Sequence, residues 1–413
     1  MLTPMGNTLY VGGTGEGNYT TIRDAIKNAS DGDTVFVYNG TYYENVYIGK
    51  AINLIGENKY TTIIDGRNSW WGVIKIGEDN VKISGFSIQK SNEFEGIACE
   101  GNSNIIIKDN IIRDNAGIGI YFGLYTSTED CINNIITNNL ITNNSDGIVI
   151  EGNTWYNTFN ITINNNTITN NDYGIPLLDC ENITIRDNNI TNSDCGIPLL
   201  DCENITIRDN NITNNNNGII LWGSDRTTIS YNNITNNNKG IVLSLESENN
   251  IIRNNTITNN KNESIILYHA NQNVIKDNNI INNLFGLNSC NSVMNTISKN
   301  NFIGNKINAY FSITWLYLSS TLENPNIWDS NHWDSWKGFG PKIIFGGLSR
   351  SGIILDLIDI IILPAFNISF NIISTIRDIR DKSIPLTDGR KFLKIPLIQF
   401  DRNPAQEPYD IEV

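Results

Sequence analysis

The stretch GIPLLDCENITIRDNNITN occupies residues 174–192 and recurs, letter for letter, at residues 196–214. A chain accepts such a copy most easily where each unit contacts only its neighbours, because an added unit then lengthens the stack. The pattern Asn, any residue, then Ile, Leu or Phe continues the repeat in both directions. Its apolar member falls at Ile112, Ile141, Ile168, Ile190, Ile212, Ile234, Ile257, Ile280 and Phe302. A fixed period of this size predicts a solenoid.

Each repeat contains three short runs in which apolar and polar residues alternate. In the first copy these runs carry Ile175 and Leu177, then Ile183 and Ile185, then Ile190, with Asn, Asp and Gly between them. Period-2 alternation with polar corners indicates strands joined by turns. The sequence therefore predicts an all-β fold, a parallel β-helix solenoid of about 10–11 coils with roughly 22–24 residues each. Two prolines, Pro176 and Pro198, lie inside predicted strands, where we expect a local gap or bulge.

The asparagine that begins each motif should form a column along the rod. The column comprises Asn110, Asn139, Asn166, Asn188, Asn210, Asn232, Asn255, Asn278 and Asn300. Stacked amides can bond the Asn of the next coil or the turn backbone and so satisfy buried corners. Ile190, Ile212 and Ile234 should correspondingly form one interior row.

Composition excludes several classes of function. The 413 residues carry a net charge of −14, and the Lys and Arg residues are scattered, so nucleic acid is a poor candidate partner. Six cysteines lie far apart and only two histidines are present, which signals neither a zinc site nor a disulfide framework. Residues 1–13 show no basic and apolar segments of a signal peptide. The oligomeric state is not indicated.

The N-terminal region predicts a cap on the solenoid. Ile22, Ala25, Ile26 and Ala29 share one helical face before the first strands. We divide the chain into an N-terminal strand and capping helix at 1–34, β-helix repeats at 35–305, and terminal coils with a C-terminal capping extension at 306–413.

The segments TIRDAIKNASDGDTVFVYNGTYYENV, LIGE and TIIDG, followed by Asn-rich coils, resemble right-handed β-helix proteins of the pectin-lyase-like superfamily. The most similar branch is the NosD-like, or CASH-domain, group, which includes many predicted surface proteins of archaea. The resemblance covers about residues 8–340 and implies a right-handed solenoid. It also implies copper handling, the role of the bacterial member that gives the branch its name.

Tryptophans and an apolar segment mark the C-terminal part. Trp315, Trp328, Trp333 and Trp336 predict either a sugar-stacking platform or a cap over the last coil. Residues 352–376 are the most apolar stretch, but two aspartates and Pro364 argue against a membrane-spanning helix. A helix or hairpin packed on the rod, or peripheral membrane contact, remains open.

Catalytic sets known on this fold are missing. The sequence has no Gly-His-Gly segment of a hydrolase and no Asp-Pro-His segment of an epimerase. Arg186 and Arg208 with Asp187 and Asp209 are the best imitation of a lyase base beside a Ca²⁺ site, but the coil duplication also explains them.

One concentrated acidic strip is present. It comprises Asp179, Glu181, Asp201, Glu203 and Asp225. Stacked like charges repel unless a cation or ligand hydroxyl groups share them, so this strip predicts a Ca²⁺ or carbohydrate contact, or else a hydrated edge. No other cofactor is indicated.

The favoured function is a non-catalytic extracellular or cell-surface β-helix protein that binds carbohydrate or is structural. The alternatives are a polysaccharide lyase or hydrolase acting on an acidic glycan, and a copper-handling accessory protein.

Overall fold

The computed structural model describes residues 6–67, 71–123, 130–152, 158–314, 320, 323–335, 342–349, 395–401 and 403–411. The chain winds as a parallel β-helix whose coils each contribute one strand to three stacks, which we name sheets A, B and C. Within a coil the chain passes from sheet C to sheet A to sheet B. Apolar side chains of all three sheets fill a single interior.

Sheet A consists of Thr8–Val11, Thr34–Val37, Asn53–Gly56, Lys82–Ser84, Ile106–Lys108, Ile135–Thr137, Thr162–Asn164, Thr184–Arg186, Thr206–Arg208, Thr228–Ser230, Ile251–Arg253, Val274–Lys276, Thr296–Ser298 and Ile327–Asp329. Sheet B consists of Gly40–Tyr42, Thr62–Asp65, Ser87–Gln89, Ile111–Arg113, Leu140–Thr142, Thr167–Thr169, Asn189–Thr191, Asn211–Thr213, Asn233–Thr235, Thr256–Thr258, Asn279–Ile281, Asn301–Ile303 and His332–Trp333.

Sheet C consists of Val46–Ile48, Ile74–Ile76, Ile97–Glu100, Ile118–Gly123, Asp146–Glu151, Leu177–Leu178, Cys195–Leu200, Asn217–Trp222, Lys239–Ser244, Glu263–Tyr268, Phe285–Cys290, Ile307–Thr314 and Lys342–Ser349. A last strand, Ile395–Asp401, runs antiparallel to Lys342–Ser349 and also joins sheet A. Cys131–Ile132 and Thr158–Phe159 form a small separate pair.

The rod contains more coils than the motif count gave. Sheet B has 13 strands in the part of the chain that the structure describes, whereas the sequence predicted about 10 or 11 coils. The first three strands of sheet B precede Ile112, the first apolar member of the repeated motif, so motif counting missed them. The predicted interior row is confirmed, because Ile190, Ile212 and Ile234 are register partners and fully buried.

The corners explain why the repeats are rich in Asn and Asp. In one coil Asn182, Asp187 and Asn192 adopt left-handed backbone conformations with φ between 55° and 57°. Apart from glycine, Asn and Asp enter this region most readily, because their short polar side chains can bond locally. Each such residue turns the chain into the next strand without a glycine.

The predicted asparagine column is confirmed as a buried hydrogen-bonded ladder. The Asn210 side-chain amide donates to the Oδ1 atom of Asn232 at 3.0 Å and to the carbonyl of Ile185 at 2.9 Å. Its own Oδ1 atom accepts the backbone N–H of Asn188 at 3.0 Å. The same pattern continues to Asn331, where Oδ2 of buried Asp401 accepts at 3.0 Å and ends the ladder.

The glycine that opens each copy of the duplicated segment is required by a close approach between coils. A Cβ atom on Gly174 would lie 2.4 Å from the carbonyl oxygen of Gly196, and one on Gly196 would lie 2.6 Å from that of Gly218. These distances are far inside van der Waals contact. A larger residue would therefore push neighbouring coils apart.

The two prolines differ in their effect. The expected gap is present beside Pro176, where the sheet C strand shrinks to Leu177–Leu178. At Pro198 the expectation is wrong, since Cys195–Leu200 forms an uninterrupted strand. Register pairs on both sides of Pro198 hold it in the sheet despite its missing N–H.

The predicted N-terminal helix spans Ile22–Asn28. Thr21 caps it by accepting the backbone N–H of Asp24 at 3.1 Å, and Glu44 accepts the N–H of Ile22 at 2.9 Å. Its apolar face, with Ile22 and Ile26, contributes to the interior. In the described part of the chain, no helix has the length and apolar character needed to cross a membrane.

The ladder makes a prediction for stability. Replacing Asn210 with Ala should destabilise the protein by about 2–4 kcal/mol, because buried backbone groups in neighbouring coils lose their partners. The Asn211→Ala variant removes an exposed amide from the next position and should cost less than about 0.5 kcal/mol. Urea unfolding followed by circular dichroism measures both. Equal losses in the two variants would contradict a structural role for the ladder.

Candidate functional site

An open groove crosses several coils at the corner between sheets B and C. Its volume is about 590 Å³, and it is lined by Asn214, Asn215, Asn216, Asn236, Asn238, Asn259 and Lys261. We call this feature the asparagine groove. Six of its seven lining residues are amides, so it presents hydrogen-bond donors and acceptors with a single positive charge.

Each coil builds the groove from the same three positions. Asn214, Asn236 and Asn259 are the left-handed corner residues, with φ of 59°, 58° and 55°, and their side chains are exposed. The next residue of each coil, such as Asn215, is buried in a second amide ladder. The residue after that returns to the surface, as Asn216 does.

The surface amides of the groove are spaced by the coil repeat. The side-chain amide of Asn238 donates to Oδ1 of Asn216 at 2.9 Å, and that of Asn262 donates to Oδ1 of Asn238 at 2.6 Å. Because each amide has two donor hydrogens and two acceptor lone pairs, these bonds leave hydrogen-bonding capacity unused. Hydroxyl groups repeating at about 4.8 Å along a bound chain would meet this capacity.

The outer face of sheet B extends the groove with further neutral polar rows. Asn211 donates to Asn189 and Asn233 donates to Asn211, each at 2.8 Å. In the adjacent row, the hydroxyls of Thr191 and Thr169 lie 2.9 Å apart. The groove and this face therefore form one continuous surface of amides and hydroxyls.

The acidic strip predicted from the sequence divides into two columns. Glu181, Glu203 and Asp225 are register partners in successive coils, while Asp179 and Asp201 stack at the preceding corner. The buried Cys180 and Cys202 side chains lie between the columns.

Neighbouring groups already satisfy part of the strip. Arg226 forms an ion pair with Glu203, and Asp225 accepts the backbone N–H of Glu248 at 2.7 Å. Burial raises the pKa of Asp179, and the charge of Asp201 raises it further. Across the described residues, no group of three or more His, Cys, Asp or Glu side chains is arranged to hold a metal ion.

The remaining sequence-predicted residues lie elsewhere. Arg186 pairs with the adjacent Asp187 at 2.6 Å, and Arg208 pairs in the same way with Asp209. These are local pairs at the outer face of sheet A, without a third group beside them in the contacts that the structure describes.

The two described tryptophans of the predicted platform or cap are buried over the last coil. Trp333 stacks on Phe302 with ring centroids 4.4 Å apart, and its indole N–H donates to Asp401 at 2.9 Å. Trp328 donates to Gln399 at 2.6 Å. Neither ring offers a face to a ligand. Trp315, Trp336 and residues 352–376 lie outside the described residues.

Sequence reasoning missed the groove and one perturbed carboxyl group. The signal for the groove was runs of consecutive Asn, such as residues 214–217, of which the ladder uses only one per coil.

The perturbed carboxyl group belongs to Asp146, which is 5% exposed and whose Oδ1 atom has no hydrogen-bond partner. Burial, with the nearby charge of Asp172, raises its pKa to about 7. Nothing in its local sequence indicated burial.

Comparison with known families gives two matches. Residues 127–248 and 152–338 match the family described as "Periplasmic copper-binding protein (NosD)", and together these matches span more than half of the chain. Residues 7–179 match the family described as "Right handed beta helix region". No curated protein sequence matches the chain.

Several solved structures share the fold. The A-module of the Azotobacter vinelandii mannuronan C-5 epimerase AlgE4 is 18% identical, with a TM-score of 0.61 over 73% of this chain and 97% of that one. The Dettilon tailspike protein is 16% identical, with a TM-score of 0.59 over 83% and 74%. XylC in complex with xylose is 13% identical, with a TM-score of 0.55 over 66% and 75%.

The Asp146 environment predicts a pH-dependent effect. Because folding raises this carboxyl pKa from 3.8 to about 7, the folded state favours the protonated form, and stability falls as pH rises between these values. The Asp146→Asn variant should therefore equal the native protein near pH 4 and exceed its unfolding free energy by a few kcal/mol at pH 8.

Urea unfolding at the two pH values measures the difference. Asp194→Asn, an exposed carboxyl on the same corner, is the control and should change stability by less than about 0.5 kcal/mol. A native protein that is equally or more stable than the Asp146→Asn variant at pH 8 would contradict the prediction.

Proposed function

We propose that this chain, which belongs to the NosD family of right-handed β-helix proteins, binds a polysaccharide outside the cytoplasm without cleaving it. The observation that carries the proposal is the asparagine groove. The described tryptophans are buried and the Arg–Asp pairs are engaged with each other, while in the acidic strip Glu203 and Asp225 already have partners.

The chemistry of the groove suits sugar hydroxyl groups. An amide side chain can donate to one hydroxyl and accept from another, and its neutrality keeps the desolvation cost below that of a charged site. The coils repeat the same groups at about 4.8 Å along the rod, so an extended polymer can make equivalent contacts in successive coils. Lys261 adds one cation, which favours a glycan that carries carboxylate groups.

The comparisons support a glycan as the partner. Proteins of this fold include mannuronan epimerases and a complex with xylose, and the matched family is described as periplasmic. This family description supports the part of the proposal that the protein acts in the periplasm or at the cell surface, where polysaccharides are accessible.

The lining of the groove favours binding over catalysis. General acid–base chemistry on a glycosidic bond or on a uronate carbon needs paired titratable groups within reach of the substrate. The groove residues are six asparagines and one lysine, without a carboxylate or imidazole. The Ca²⁺ ion predicted at the acidic strip stays a prediction, which Ca²⁺-free and Ca²⁺-containing binding assays address.

Copper does not fit the ligands that the chain offers. Both histidines and all six cysteines of the sequence lie in the described part of the chain, and no group of three or more His, Cys, Asp or Glu side chains there is arranged to hold a metal ion. The Cys180 thiol donates to the carbonyl oxygens of Leu178 and Ile150 at 3.0 and 3.3 Å. Burial raises the pKa of this thiol well above its usual value, which opposes the thiolate form that a metal ligand takes.

The groove can be tested by removing its side chains without straining the backbone. We expect the triple variant Asn214→Gly, Asn236→Gly and Asn259→Gly to lose at least about tenfold in glycan affinity, equivalent to ~1.4 kcal/mol. Glycine adopts the left-handed corner conformation without steric strain, so the corner geometry is kept while the amides are lost. A glycan array with and without Ca²⁺ identifies the ligand, and titration calorimetry measures the loss.

The matched control is the triple variant Asn160→Gly, Asn182→Gly and Asn204→Gly. These residues are also exposed left-handed corners, each with φ of 55°, but they lie at a different corner of the rod. The control should bind as the native protein does. Equal binding by both triple variants, or release of unsaturated products or new reducing ends from a bound uronate polymer, would contradict the proposal.

For copper we expect no stoichiometric retention. After incubation with Cu(I) and dialysis, metal analysis should find well under one copper ion per chain. Retention of one ion that is lost in the Cys180→Ser and Cys202→Ser variants would overturn this expectation and restore copper handling as a function.

A further inference from the structure

The outer face of sheet B carries a row of asparagines whose C-terminal end is covered by the chain itself. The row uses the first position of successive strands, where the side chains are register partners. Its members are Asn189, Asn211, Asn233, Asn279 and Asn301, with Thr256 in the place between Asn233 and Asn279. We call it the outer amide row. Asn189 and Asn211 are exposed, whereas Asn301 is only 2% exposed.

The cover over Asn301 is the segment 406–411, which we call the tail. The backbone N–H of Tyr409 donates to Oδ1 of Asn301 at 2.8 Å, and the Asn301 amide donates to the Tyr409 carbonyl at 2.8 Å. The Tyr409 hydroxyl donates to the carbonyl of Ser330 at 2.7 Å. Within the described contacts, these three hydrogen bonds are all that the tail makes, and four of its six residues are exposed.

Tyr409 fills the hydrogen-bonding capacity that the other amides of the row leave unused. The Asn211 amide donates one hydrogen to the Asn of the preceding coil, and its Oδ1 atom accepts one from the Asn of the following coil, each at 2.8 Å. One donor hydrogen and one acceptor lone pair remain. Asn301 also donates one hydrogen to its neighbour Asn279, at 2.7 Å, and uses its second hydrogen and its oxygen for Tyr409. The row therefore accepts a group that presents a donor beside an acceptor.

A sugar ring presents the same arrangement of donor and acceptor. In Tyr409 the donor and the acceptor are the ends of the four-atom unit N–Cα–C–O. Two hydroxyl groups on neighbouring ring carbons form the four-atom unit O–C–C–O, in which one oxygen can donate while the other accepts. A pair of neighbouring sugar hydroxyls can therefore satisfy the same two groups of a row amide that Tyr409 satisfies.

Building on the polysaccharide binding proposed above, we propose that the outer amide row binds neighbouring hydroxyl pairs of the polymer and that Tyr409 occupies its last position as an internal competitor. Asn301 lies two coils beyond Thr256, whose coil carries the groove residues Asn259 and Lys261, so the separation along the rod is roughly 10 Å. A polymer that continues from the groove toward the C-terminal coils therefore meets the tail.

The tail lowers the apparent affinity of long chains only. It is covalently attached, so its local concentration at Asn301 is high. A polymer that needs this position binds only the fraction of molecules in which the tail has left it, and its apparent affinity falls by that fraction. A short oligosaccharide confined to the asparagine groove does not need the position and is unaffected.

Deleting residues 407–413 tests the competition. The deletion keeps Asp401, which ends the buried ladder, and Ala405, whose N–H donates to the Asn331 carbonyl at 2.9 Å. The probes are oligomannuronates and xylo-oligosaccharides, each in a long and a short form, because their rings carry neighbouring hydroxyl groups. In titration calorimetry, the deletion should raise affinity for the long form of the series that binds by at least about fivefold and leave the short form unchanged.

The matched control repeats the deletion in the Asn301→Ala variant. The described bonds of the Asn301 side chain are those to Asn279 and Tyr409, on the outer face, so its removal leaves the buried ladder intact. Without this amide the vacated position has nothing to offer a hydroxyl pair, and the deletion should change affinity by less than about twofold. The same gain in both backgrounds would overturn the proposal, because the tail would then act somewhere other than on Asn301.

The remaining outcomes separate this inference from the proposed function. Long oligosaccharides that bind the native protein and the deletion variant equally would overturn the competition and leave the groove as a binding site. No binding of either series to either protein would overturn both.

A point variant keeps the test decisive if the deletion variant does not fold. Tyr409→Pro removes the N–H that Asn301 accepts and should reproduce the gain in affinity for long oligosaccharides. Glu407→Ala, which changes an exposed side chain of the same tail, is its control and should bind as the native protein does. Equal affinities in these two variants would overturn the proposal.

Discussion

The structure depends on hydrogen bonding between successive coils at buried corners. Every coil must turn its backbone three times, and each turn leaves peptide groups that face the interior instead of water. The side-chain amide of Asn210 resolves this at one corner by donating to a carbonyl of the coil before it and to the amide oxygen of the coil after it. Because one residue serves three coils, its position is fixed relative to both neighbours. The ladder thus sets the register in which the interior isoleucines stack.

The direction of the ladder explains how the rod ends. The side-chain amide of each Asn donates to the Oδ1 atom of the Asn in the next coil toward the C-terminus. The last Asn of the ladder therefore needs an acceptor from outside the repeats. Asp401 supplies it, accepting from the backbone and side chain of Asn331 and from the indole of Trp333. A carboxylate has no donor hydrogen to leave unsatisfied, which makes it a suitable last member. The C-terminal strand is therefore part of the hydrogen-bonding system of the solenoid.

Features that repeat along the sequence could be predicted, because the same type of residue occupies the same position in every coil. The period placed Ile190, Ile212 and Ile234 in one row and identified the asparagine ladder. Features set by contacts between distant parts of the chain could not be predicted in this way. Alternation shows that Ile220 points outward, but it does not show that this side chain is buried. The burial of Asp146, the ion pair of Arg226 and the acceptor role of Asp401 belong to this second class.

The separation of structural and exposed asparagines also explains where a binding surface can arise. At the corner after sheet B, three consecutive positions carry Asn, and only the middle one enters a buried ladder. The first needs a residue that tolerates a left-handed backbone, for which glycine would serve equally well. The third has no conformational demand of that kind. The amides at the third position, Asn216 and Asn238, are therefore not explained by the fold, and their place beside the single lysine of the groove is the feature that selection for a ligand would produce.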